Sequence, residues 1–117
     1  MRRDVFNTDC PARHVLEHMS SRWAVLVLRA LSARPHRYHE LRAEVSGISD
    51  KMLAATLQTL AGDGLVRREV GDGQPPWVTY SITELGRGAM TALQPFLDWI
   101  RGNADAITAH QATFARS

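Results

Sequence analysis

Cysteine is almost missing from this 117-residue chain. With Cys10 alone, no intrachain disulfide can form, so the fold does not depend on an oxidising compartment. Long apolar runs are missing too. None approaches the roughly 20 residues of a membrane span, and the polar start MRRDVFNTD lacks the apolar stretch of a secretory signal. The expectation is a cytoplasmic protein with no membrane association. Lysine is equally scarce, with Lys51 the single lysine among 14 basic residues. There is no internal repeat and no low-complexity segment. No glycine-rich phosphate loop is present and no third group completes a catalytic triad, which leaves little for an enzyme to work with.

What remains is ordinary for one folded domain: 44% apolar and 22% charged residues, with a net charge of +2. The positive excess lies early, with eight arginines against five acids in residues 1–45 and three basic against four acidic residues in 46–82. Such a balance permits nucleic-acid binding without demanding it, because the local field decides.

Pro11 suits the first turn of a helix running to Met19, where Val15, Leu16 and Met19 recur at helical spacing. Ser20-Ser21 interrupts it and caps a second helix from Arg22 to about residue 32, apolar nearly all round and therefore central. Pro35 ends that helix, and Arg37-Tyr38 is expected to add a short third strand beside a later hairpin. Residues 39–45 form a short helix with Leu41 and Val45 inward. Ser46-Gly47-Ile48 is the turn, where Gly47 permits a positive φ. Ser49 caps the next helix, in which Leu53, Leu57 and Leu60 form one narrow apolar stripe. Strands follow over 65–70 and 77–82 around the loop 71–76, and Thr83 opens a long last helix.

This order of helix, turn, helix and hairpin is the plan of a winged helix-turn-helix, a mainly α fold with a small β-hairpin wing (α+β). The helix after Ser49 is the candidate reader of the major groove. Ala54 and Ala55 allow close approach, and Ser49 with the first helical amides can hold a phosphate. Lys51, Met52, Ala55, Thr56, Gln58 and Thr59 are the candidate contacts, and Gln58 is of the type that pairs with adenine. Arg37, Arg67 and Arg68 are candidate phosphate ligands on either side. The partner expected is double-stranded DNA.

The landmarks Cys10-Pro11, Arg22-Trp23, Arg37-Tyr38-His39-Glu40-Leu41, Gly47-Ile48-Ser49, Lys51-Met52-Leu53, Asp63-Gly64-Leu65-Val66-Arg67-Arg68, Tyr80-Ser81, Thr83-Glu84-Leu85-Gly86 and Trp99 stand in one register. In these the chain resembles the HxlR family of bacterial winged-helix transcription regulators over residues 10 to about 100. Tyr38 departs from the family's usual Phe, and Trp77 stands where a basic residue is frequent. The resemblance divides the chain into a flexible N-terminal arm (1–9), an HxlR-type domain (10–101) and a C-terminal helical tail (102–117). It implies a homodimer joined through the first and last long helices, acting as a repressor on a pseudo-palindromic operator with half-sites ~34 Å apart. Val15, Met19, Leu93, Phe96, Leu97, Trp99 and Ile100 are the candidate dimer contacts.

Several family members sense electrophiles or oxidants through the cysteine matching Cys10, which makes Cys10 the sensor candidate and a small electrophile the candidate effector. The other reading is a small apolar residue packed at a helix start. Cys10, His14 and His18 are spaced i, i+4, i+8, too long for one tetrahedral ion, so no metal or cofactor is expected. Cys10 with His14 mimics a thiol and its base but lacks an oxyanion hole. A winged-helix module that binds protein rather than DNA is the alternative function, one that would tolerate bulk or acid where Lys51, Ala54 and Ala55 stand.

Overall fold

The computed structural model describes residues 5–117. Residues 1–4 of the expected arm lie outside the described residues, and 5–9 form turns ahead of the first helix. Seven elements follow: α1 (Pro11–Met19), α2 (Arg22–Ala33), α3 (Tyr38–Glu44), α4 (Asp50–Gly62), β1 (Val66–Gly71), β2 (Trp77–Ile82) and α5 (Glu84–Ala115).

Each boundary has a local cause. Pro11 opens α1, where its missing amide proton costs nothing. The hydroxyls of Ser21, Ser49 and Thr83 accept from the amides of Trp23, Met52 and Gly86, capping α2, α4 and α5. Gly64 takes φ 78° just after α4 and redirects the chain into β1.

The expected strand at Arg37-Tyr38 is replaced by a single bridge one residue earlier. His36 donates its amide to the Tyr80 carbonyl at 2.9 Å and accepts from the Tyr80 amide at 2.8 Å. The extended stretch ends there because the Glu40 carboxylate accepts from the Arg37 amide at 2.8 Å, which starts α3 at Tyr38.

The buried centre is built on α2, whose Val27, Leu28 and Leu31 meet Leu41 of α3 and Leu53, Leu57 and Leu60 of α4. Val66 and Ile82, paired across the hairpin, close it from the wing side, and Met90 closes it from α5. His36 is buried among them, its ring set between the Arg34 carbonyl and the Glu44 carboxylate. Helix α5 runs 32 residues, about 48 Å at 1.5 Å per residue, and passes Gly102 without a break. Beyond residue 100 no side chain of α5 is buried.

Candidate nucleic-acid interface

Helix α4 is set by a turn that only glycine makes easily. Gly47 sits at φ 88°, and Ile48 turns into the core between α3 and α4. Leu53, Leu57 and Leu60 then pull one face of α4 against α2 and leave Lys51, Ala54, Ala55, Gln58 and Ala61 exposed on the other. That ridge is narrow and carries little bulk, as a helix entering a groove about 12 Å wide requires.

The expected contacts do not share one orientation. Ser49, Lys51, Met52, Ala55 and Gln58 are exposed, and Thr59 is half-buried. Thr56 requires correction: only 8% of it is exposed, because it lies three residues after Leu53 and four before Leu60 and so shares their inward face. Met52, Ala55 and Thr59 border a shallow groove of about 190 Å³ against Glu17 and His18 of α1. Gln58 faces the other way, into a groove of about 300 Å³ shared with Tyr38, Arg68 and Tyr80.

The two wing arginines also separate. Arg68 pairs with Tyr80 across the hairpin, on the side of Val66 and of α4. Arg67 is its neighbour on the strand, so strand alternation sends it to the opposite face, where it reaches Glu69 at 3.8 Å. Arg37 stands exposed at the start of α3 with its guanidinium 5.8 Å from the Trp77 ring centre, a cation–π arrangement. Trp77 thus holds an arginine at the wing.

Contacts invisible in the sequence surround the start of α4. The Tyr38 hydroxyl donates to the Asp50 carbonyl at 2.9 Å and reaches Asp50 Oδ1 at 3.3 Å, while Arg42 donates to the same Oδ1. Burial first, and then the Asp50 carboxylate, push the Tyr38 phenol above its ordinary value. Glu40 moves the other way, its carboxyl held below the ordinary value chiefly by the Arg37 amide. The signal available in the sequence was the i, i+4 spacing of Tyr38 and Arg42, which puts both on one face of α3. At the far end of α4, His18 Nδ1 donates to the carboxylate of Asp63, the C-cap, at 2.7 Å.

Cys10 occupies the N-cap of α1 and is 2% exposed. Arg13, one turn on, is engaged by Glu17 at 3.1 Å and by the Val5 carbonyl at 3.1 Å. His14 meets the Thr8 carbonyl and His18 meets Asp63, so these two rings face separate partners.

Of the expected dimer contacts, Val15, Phe96, Trp99 and Ile100 are exposed, and Met19, Leu93 and Leu97 are half-buried. Met19, Leu93, Phe96, Leu97 and Ile100 come together with Leu16 and Leu26 in an apolar groove of about 480 Å³ between α1, α2 and α5. Val15 and Trp99 flank it without lining it.

A family model described as HxlR-like helix-turn-helix matches residues 18–108. The uncharacterized HTH-type transcriptional regulator YtfH of Escherichia coli (strain K12) is 42% identical over 106 residues, which span 91% of this chain and 84% of that protein. The solved structure of YtfH from Salmonella typhimurium superposes with a TM-score of 0.87 at 40% identity, covering 95% of this chain and 99% of that one. The redox regulator HypR in its oxidized form matches with a TM-score of 0.74 at 31% identity, over 80% of this chain and 97% of its own.

Proposed function

Because the chain belongs to the HxlR-like helix-turn-helix family and is a DNA-binding transcriptional regulator of that type, we propose that it acts in the cytoplasm as a homodimeric repressor, laying α4 in the major groove of each half of a pseudo-palindromic operator. The observation that carries this reading is the uncluttered ridge Lys51, Ala54, Ala55 and Gln58, fixed from behind by three buried leucines. The amides behind Ser49 and the single positive charge of Lys51 supply phosphate attraction, and Gln58 supplies a bidentate amide for a base edge. Arg68 and Arg37 hold the backbone on the wing side, whereas Arg67 meets DNA only by leaving Glu69.

The apolar groove between α1 and α5 supplies the dimer contact. Phe96 and Ile100 are too exposed there to serve the protomer's own core, and a two-fold axis through this groove covers both copies. Cys10 is the sensor. Its burial means that an oxidant or electrophile reaches the thiol only when the turn before α1 opens. With one cysteine per chain, the oxidised product is a disulfide between protomers or with a small thiol. HypR, a redox regulator, lends this part its support.

Selection of bound fragments from a genomic library gives the operator and tests the reading directly. Enrichment of two-fold related half-sites about one helical turn apart is the expected result, and recovery without any common sequence refutes it. Diamide or a quinone is then expected to change affinity for that fragment. Unchanged affinity removes Cys10 from the role.

A further inference from the structure

We infer that Tyr38, Arg42 and Asp50 form a latch that sets the angle of α4 on α3, and that the Tyr38 hydroxyl is a positioning residue for operator binding. The inference rests on α4 being the reading helix.

The leucine stripe of α4 seats it on the core, and directional bonds at its two ends refine the setting, from Tyr38 and Arg42 at the start and from His18 on Asp63 at the end. Apolar contact is non-directional. Hydrogen bonds are directional. Those at the start of α4 come from one face of α3, four residues apart, and grip Asp50 by backbone and side chain together. The residues they steady are the neighbours of Asp50, namely Ser49, Lys51 and Met52, where a reading helix first meets bases and phosphates.

The latch also manages a charge. The Asp50 side chain is largely exposed and stabilises the positive end of α4, yet the same carboxylate repels an arriving phosphate. Arg42 and Tyr38 turn it towards α3 and offset it. A phenylalanine at position 38 would fill the same space and lose only the hydroxyl.

The test compares the full-length wild type with Tyr38→Phe, Arg42→Gln and Lys51→Ala. The readouts are thermal midpoint, affinity for the fragment selected by the wild type, affinity for an unrelated duplex of equal length, and dependence on salt. The hydroxyl does not touch DNA in this scheme, and its effect cannot exceed the worth of the lost bond. The dimer loses the bond in both copies, so Tyr38→Phe is expected to lower operator affinity by roughly tenfold to a hundredfold, with the unrelated duplex and the salt slope unchanged. Arg42→Gln is expected to act in the same direction, and it serves if the first variant folds poorly.

Equal loss on both duplexes means that Tyr38 touches the DNA backbone itself, which overturns the positioning role. Unchanged operator affinity in both latch variants overturns it as well. If Lys51→Ala still weakens binding in that case, α4 remains the reading helix and only the latch falls. A wild type without preference for any fragment removes the reading and the latch with it.

Discussion

Replacing Phe96 with alanine should separate the protomers. The ring is 59% exposed in the single chain and borders the groove between α1 and α5. A phenylalanine carries roughly 150–250 Å² of coverable surface, so about 100 Å² of this ring is left for a partner. At about 25 cal/mol per Å² that area is worth about 2.5 kcal/mol, of which an alanine methyl keeps a small share. A two-fold axis counts the loss in both copies, about 4 kcal/mol per dimer, or roughly a thousandfold in dissociation constant. Sedimentation velocity across a concentration series reads this directly: the wild type is expected as a dimer at micromolar protein and Phe96→Ala as a monomer. Val70→Ala, on the exposed wing, is the matched control and should leave the dimer intact. A wild type that sediments as a monomer refutes the reasoning at its root. A dimer unmoved by Phe96→Ala puts the interface elsewhere.

Other perturbations separate the remaining roles. Lys51→Ala should weaken binding to all duplexes and lower the salt slope by about two, one for each copy, while Gln58→Ala should relax preference at one base pair of each half-site by ~1–3 kcal/mol; titrations against operator variants at several salt concentrations distinguish them. Gly86→Ala should cost ~1–3 kcal/mol in denaturant unfolding, because a Cβ there runs into the Leu65 carbonyl and Ile82. Gly88→Ala, two residues on and facing open space, should instead gain up to ~1 kcal/mol from helix propensity. In melts against pH, the contribution of Tyr38 is fully present below its ordinary value of 10.0 and is lost as pH rises through the raised folded value, a loss that Tyr38→Phe abolishes. Glu40 behaves oppositely, contributing above its ordinary 4.5 and losing that contribution as pH falls through the lowered folded value, so Glu40→Gln should flatten the acid limb.

The elements were legible because their start signals are local. Ser21, Ser49 and Thr83 cap helices by reaching two or three residues ahead, and such a signal survives in a bare string of letters. The hairpin was legible for a similar reason, since Val78, Tyr80 and Ile82 recur at every second residue and the Gly/Pro loop before them is short, although β1 starts and ends one residue later than expected. Orientation about an axis was harder to read. Thr56 looked like a polar contact residue, yet the phase of Leu53 and Leu60 carries it inward. Arg67 and Arg68 looked like a pair, yet adjacent strand residues face apart. Of the contacts across long sequence separations, the bridge of His36 to Tyr80, 44 residues away, fell one residue from the expected strand, whereas His18 meeting Asp63 from 45 residues away left no pattern at all.

These distant contacts change what α4 is physically. Its start is gripped by α3 through Tyr38 and Arg42, and its end by α1 through His18 on Asp63, with three leucines seated on the core between them. A helix held this way moves only as a unit with the elements that hold it. The same α1 carries Cys10 at its N-cap and Leu16 and Met19 on the apolar groove. A shift of α1, whether from a change at the thiol or from a partner settling into the groove, therefore strains the His18–Asp63 bond and biases the far end of α4. On the function proposed above, sensing, assembly and DNA reading would meet in that bond, and an effector would change affinity only as far as it favours one placement of α1 over another.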